Sequence, residues 1–186
     1  MKKVLFASLL TVFAATLFTS CQKDTNTNPG NKGATYYIKG KKDGTAFTYS
    51  TNPSAMIIDF SSTAQSISLA LMASAKPGTT SMEGLALNLS FFNGKQPAIG
   101  TYTEDYSGTD YLAAGVYNPN SATISWAAGL HYPTVKPLTV HILTKTNTEI
   151  TGTFEGAFYK QDNSNAQLYD DYTLFTEGEF KLPITK

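Results

Sequence analysis

Large apolar residues occupy every second position of Leu85-Ala86-Leu87-Asn88-Leu89-Ser90-Phe91, with small or polar residues between them. A period of two over seven residues predicts a strand with one face in a core and the other in solvent. Ile67, Leu69 and Leu71 repeat the pattern, with Ser66, Ser68 and Ala70 turned away. Leu138, Val140 and Ile142 repeat it again, leaving Thr139 and His141 outward, and Phe180, Leu182 and Ile184 do so with Glu179 and Lys181 outward. Ile150, Phe154 and Phe158 share their parity with Gly152 and Gly156, which predicts a bend or a close backbone approach. Weaker strand patterns cover 35–40, 45–49, 55–60, 99–103, 111–117 and 123–126, and Lys42-Asp43-Gly44 has the chemistry of a hairpin turn. In 123–126, Trp126 alternates with Ile124 and is expected in the core.

No stretch carries a helical period, and Gly, Pro, Asn and Asp interrupt the chain at short intervals. About ten short strands with one polar face each predict an all-β fold. An antiparallel β-sandwich accounts best for the uneven strand and loop lengths, with a β-barrel as the alternative.

The first 34 residues read differently. Met1-Lys2-Lys3 is positive, and Val4 to Phe18 carries no charge and is mostly apolar. Those fifteen residues would rise about 22 Å as a helix, short of the roughly 30 Å hydrocarbon core. A secretory signal fits this better than a membrane span. Thr19 and Ser20 then run directly into Cys21, the single cysteine of the chain. This arrangement resembles the lipobox of bacterial lipoproteins, with Phe18 standing where Leu is commonest. The resemblance implies a signal peptide over 1–20 and a lipid, such as palmitate, on Cys21 as the first mature residue. A cleaved signal that leaves a free thiol is the alternative. Two or more acyl chains anchor a protein stably, at about 0.8 kcal/mol per buried methylene. Residues 21–34 contain the run QKDTNTNPGNKG, polar throughout and without apolar period, so they are expected to form a tether with a reach of about 20 Å. Residues 35–186 are then a single domain, long enough to bury a core without staples.

Composition narrows the chemistry. Loss of residues 1–20 would remove Lys2 and Lys3, leaving 12 Lys against 14 acids, a net charge of −2, and the chain has no Arg. Nucleic acid is therefore a poor partner. With one cysteine, neither a disulfide within the domain nor a Cys-bearing metal site is available.

The order DGTAF (43–47), IGTY (99–102), PLTVHIL (137–143), ITGTFEG (150–156) and TEGEFKLP (176–183) looks like that of small Bacteroidota lipoproteins of unknown function. These pair a DG-x-x-F hairpin with a late I-x-G-T-F strand and a closing G-x-F strand. The resemblance spans most of 35–186 and implies an all-β envelope lipoprotein. It lends no catalytic residues.

Candidate chemistry is sparse. His131 and His141 are the only histidines and lack metal-ligand spacing. There is no G-x-S-x-G elbow. Glu177 and Glu179 would share a strand face about 7 Å apart, near the lower end for inverting glycosidases. Glu104 and Asp105 could join them only across a cleft. Asp105 with Asp110, or Asp162 with Asp170, could contribute to calcium binding, yet neither matches an EF-hand loop. No catalytic residue, metal site or cofactor is assigned. The Asn88-Leu89-Ser90 sequon falls mid-strand and carries no weight. What stands out is Tyr102, Tyr106, Tyr111, Tyr117 and Tyr132, interspersed with Asp, Asn, Gly and Ser. Flat amphipathic rings among small polar groups suit ligand binding. The expected protein is a non-catalytic module that binds a glycan or protein ligand, held to the cell envelope at the outer membrane, on its periplasmic or surface face. A carboxylate-dependent glycan hydrolase and a purely structural or inhibitor-like periplasmic lipoprotein are the alternatives.

Overall fold

A computed structural model of the chain describes residues 35–60, 66–75, 83–104, 110–119, 124–129, 136–161 and 167–185. The expected signal peptide, Cys21 and the expected tether to residue 34 lie outside the described residues, as do Tyr106, Tyr132, His131, Asp105 and Asp162; Asp170 is described in its backbone alone. The described residues contain eleven strands and no helix. They are β1 (Tyr37–Lys42), β2 (Thr45–Tyr49), β3 (Thr51–Asp59), β4 (Ser66–Ser74), β5 (Gly84–Phe92), β6 (Gly100–Thr103), β7 (Tyr111–Asn118), β8 (Ser125–Ala128), β9 (Thr139–Lys145), β10 (Glu149–Gln161) and β11 (Gln167–Thr185). The fold is all-β, as the period-two pattern predicts.

One sheet runs in the order β2-β1-β11-β3-β4-β5-β7-β8-β10-β9-β6, and β10 also pairs with β11. The sheet folds back on itself as a sandwich-like structure. Strands β3, β4, β5, β7 and β8 form one layer, and β2, β1, β11, β10, β9 and β6 form the other. Three β8–β10 residue pairs and two β11–β3 pairs join the layers at their edges. The β11–β3 ladder is parallel, while every other pairing is antiparallel, so the sheet is mixed.

Two tight turns, the first of them a hairpin turn, follow directly from their residues. Asp43 and Gly44 (φ 48° and 78°) join β1 to β2, and Asn93 and Gly94 (φ 53° and 76°) follow β5. Two successive positive φ values give the turn that matches strand twist, and Asp-Gly and Asn-Gly are the pairs that adopt it most easily. Asp43 is fixed further by Leu174, whose amide donates to Asp43 Oδ1 at 2.8 Å while the Asp43 amide donates to the Leu174 carbonyl at 2.9 Å.

The core fills the space between the layers. Leu69, Leu71, Leu85, Leu87, Leu89 and Phe91 face Leu138, Val140, Ile142, Phe154, Phe158 and Phe175, all buried. Gly152 and Gly156 permit the close approach that their parity suggests. A Cβ on Gly152 would stand 2.0 Å from the His141 carbonyl oxygen, and one on Gly156 2.6 Å from Leu138 Cα.

Three expectations are corrected. Strands β10 and β11 are not short, at 13 and 19 residues. Register shifts between Phe154 and Gly156 and between Tyr159 and Lys160 break their alternation, so the pattern stops short of the pairing. The second face of the β4–β5–β7 layer is only partly solvated: Ser66, Ser68, Ala70, Ser90 and Ala114 are buried, while Met72, Ala86, Asn88, Leu112 and Val116 are partly exposed. Alternation there is between large and small rather than between apolar and polar, and small side chains can be covered on both faces. Ser68 and Ser90 meet this burial by hydrogen bonding to each other at 3.1 Å. Finally, Trp126 is only partly buried, packed against the core rather than inside it.

Candidate functional site

Among the described residues, the densest cluster of ionisable groups closes one end of the sandwich. Lys42 is the last residue of β1 and shares its parity with buried Ile38, which turns its side chain toward the core. Glu83 immediately precedes β5, Tyr49 ends β2 and Tyr117 lies near the end of β7. Three donors converge on Glu83 Oε1: Lys42 Nζ at 2.5 Å, Tyr117 Oη at 2.6 Å and Tyr49 Oη at 2.7 Å. Lys42 Nζ also contacts Tyr117 Oη at 2.6 Å and lies 4.8 Å from the centroid of the Tyr117 ring. Phe175 packs edge-on against Tyr117 and Phe47 beneath them.

Electrostatics make this cluster a closed set. Burial alone would raise the Glu83 carboxyl, but the hydrogen bonds from Lys42, Tyr117 and Tyr49 outweigh it and hold the group below its ordinary range. Burial pulls Lys42 down, and its bonds to Glu83 and Tyr117 more than reverse that, leaving the ammonium above its ordinary value. Burial, then the bond to Glu83, pushes Tyr117 up to about 12 and raises Tyr49 as well. Both phenols are therefore neutral donors at physiological pH. A general base or activated nucleophile needs the opposite shift. The cluster neutralises an inward lysine.

The tyrosines separate. Tyr102 and Tyr111 stand together near the end of β5, with ring centroids 5.2 Å apart and Tyr102 5.1 Å from Phe91, all edge-to-face. Tyr102 Oη donates to the Ala98 carbonyl at 2.8 Å. Tyr117 lies at the other end of β7, 3% exposed and bound into the Glu83 cluster. Its assignment to a ligand surface is corrected: its ring and hydroxyl both serve the core. Sequence parity places Tyr111 and Tyr117 on the same face, at opposite ends of β7, but neither parity nor spacing shows that Glu83, 34 residues away, would claim the Tyr117 hydroxyl.

The carboxylates separate too. Glu177 pairs with Lys41 at 2.7 Å and Glu179 with Lys39 at 2.9 Å on the outer face of β1 and β11. A left-handed Glu177 (φ 51°) marks the bulge that interrupts their shared strand. Glu104 follows β6, where its Oε2 accepts the Leu138 amide at 3.1 Å and its own amide donates to the Leu138 carbonyl at 2.7 Å. Burial raises the Glu104 carboxyl, while the backbone bonds from Leu138 and Gly129 act against that rise. Among the described residues, no group of three or more His, Cys, Asp or Glu side chains could hold a metal ion. Asp110, from the calcium pair, lies 3.6 Å from Lys95. His141 is on the outer face of β9, its Nδ1 2.8 Å from Thr101 Oγ1.

Comparison with protein-family models, with curated proteins and with solved structures returned no match.

Proposed function

We propose that the chain is a lipid-anchored envelope protein, held at the outer membrane through Cys21, whose β domain is a non-catalytic module that binds a glycan or protein ligand. The observation that carries the non-catalytic reading is the separate engagement of the three described acids a hydrolase would use. Glu177 and Glu179 are each tied to a lysine, and Glu104 is held by the Leu138 amide at the end of β6. The phenols of the Glu83 cluster are raised rather than lowered, which supports the same reading. The positive n-region, the apolar stretch to Phe18 and the placement of Cys21 support the anchor. The anchor is tested by metabolic labelling with a fatty-acid analogue. Wild-type chain is expected to take up label and fractionate with membranes, and Cys21→Ser to lose both; retention of label by Cys21→Ser would overturn it. The module is tested by a glycan array and pull-down in parallel with assays for glycan hydrolysis, and turnover of any glycan by the purified chain would remove the non-catalytic reading.

A further inference from the structure

The outer face of the six-stranded layer carries side chains that neither the core nor the Glu83 cluster uses. One row crosses five strands in register: Thr101 on β6, His141 on β9, Thr153 on β10, Glu179 on β11 and Lys39 on β1. A second row sets Thr103 beside Thr139 and Glu155, and a third sets Thr144 beside Thr151, Lys181 and Tyr37. We propose that this face is a binding surface for a neutral, hydroxyl-rich polysaccharide; the inference rests on the module reading above and adds the surface and the ligand class.

Charge selects the class. Four lysines on this layer each meet an acid, Lys39 with Glu179 and Lys41 with Glu177 as above, Lys136 with Glu155 at 2.7 Å and Lys181 with Glu149 at 3.3 Å. Among the described residues, the three rows thus carry no surplus of either sign, and a polyanion such as nucleic acid gains nothing from them. A protein partner would be anchored by a buried cluster of large aromatic, Met or Arg side chains, with Lys and Glu depleted. Here the rows are Thr, His, Lys and Glu, and Tyr37 stands at the margin with Lys39 Nζ 4.9 Å from its centroid.

Hydrogen bonding and spacing fit a glycan. Thr101 meets His141 at 2.8 Å, Thr144 meets Thr151 at 2.7 Å and Thr139 meets Thr103 at 3.3 Å. Each hydroxyl has one donor and two acceptor positions, so a single cross-strand bond leaves it capacity for a ligand hydroxyl. Stiff β-branched side chains on paired strands are already ordered, which lowers the entropy lost on binding. Strand geometry repeats these groups about every 4.8 Å across the sheet and about 6.7 Å along it. Such a lattice favours a ligand that is itself a repeat and binds through many weak contacts.

The full chain in detergent would be run in native gels cast with dextran, a mixed-linkage β-glucan or a galactomannan, and with polygalacturonate as the anionic counterpart. At least one neutral polymer is expected to retard the chain, and polygalacturonate is not. The combined Thr101→Val, Thr151→Val and Thr153→Val change keeps β-branching and is expected to weaken retardation at least about fivefold at an unchanged thermal midpoint. Asn88→Ala, on the opposite layer, is expected to leave retardation as it was. No retardation by any neutral polymer, equal retardation of the triple variant, or stronger retardation by polygalacturonate would overturn the proposal. New reducing ends in the gel would instead sink the non-catalytic reading while leaving the binding face in place.

Discussion

Lys42 and Glu83, 41 residues apart in sequence, meet at 2.5 Å at the end of the sandwich, with two phenol hydroxyls on the same carboxylate oxygen. An inward lysine on an edge hairpin discourages pairing with other chains, and here a carboxylate from the opposite layer compensates it. Lys42→Met is expected to lower stability by about 1–3 kcal/mol, because it leaves the partly buried Glu83 with two neutral donors and no cation. Both signs of pH dependence follow. Glu83 is lowered in the folded state, so its contribution is present above the ordinary carboxylate range and is lost as pH falls through the folded value. Lys42 is raised, so its contribution is present below the ordinary lysine value and is lost as pH rises through the folded one. Urea midpoints from pH 2 to 11 check this: the variant should show shallower losses at both extremes than wild type.

Leu87 and Asn88 are neighbours that the strand sends to opposite faces. Leu87 is fully buried between the layers, paired with Leu71 and Gly115. Leu87→Ala is expected to cost about 2–5 kcal/mol through lost burial and a residual cavity. Asn88 sits on the outer face, partly exposed, but its Oδ1 is buried with no hydrogen-bond partner. Asn88→Ala removes that unsatisfied acceptor, so it is expected to be neutral or stabilising. Urea denaturation of both variants checks the contrast, and a loss at Asn88 as large as that at Leu87 would contradict it.

How far the sequence discloses the fold depends on what each residue's neighbours require. Leu85–Phe91 discloses its strand and inner face because its large side chains keep strict parity. It does not disclose the outer face, because Ser68, Ser90 and Ala70 are compatible with water and with close packing alike. Strands β10 and β11 extend past their apolar rows because backbone pairing, not side-chain pattern, carries them through the bulges. The Glu83 cluster was not legible at all: Lys42, Tyr49, Glu83 and Tyr117 come from four separate segments, and only the meeting of the two layers joins them. Asn93-Gly94 is a turn signal that reading by apolar period passed over.

Glu104 offers a carboxyl whose charge disfavours the fold. Burial raises it, so the folded state holds the proton more tightly than the unfolded chain does. Stability is therefore expected to decline as pH rises from the ordinary carboxylate value of about 4.3 through the folded one. Glu104→Gln keeps an oxygen to accept the Leu138 amide and has no charge to desolvate. Its thermal midpoint at pH 7 is expected to equal or exceed that of wild type, with the difference vanishing near pH 3. A lower midpoint at pH 7 would show that the charge itself strengthens the bond to Leu138 by more than its burial costs.

Two glycines separate steric from conformational need. Gly94 has φ 76° at the turn after β5, and a Cβ there would meet nothing within 4 Å. Gly94→Ala should therefore cost only the left-handed backbone penalty, about 1–2 kcal/mol. Gly152 needs no left-handed backbone, yet its Cβ would lie 2.0 Å from the His141 carbonyl oxygen and 2.3 Å from the Phe180 ring. The carbonyl belongs to the β9 ladder and Phe180 is held in the core, so neither can yield without breaking pairing or packing. Gly152→Ala is expected to cost more than about 4 kcal/mol, and the chain is expected to be recovered mostly unfolded or aggregated. Soluble yield and urea midpoints of the two variants give the comparison. A Gly152→Ala chain as stable as Gly94→Ala would mean that β9 does not cross β10 as closely as these distances require, and the seating of the outer strands β9 and β6 would have to be revised.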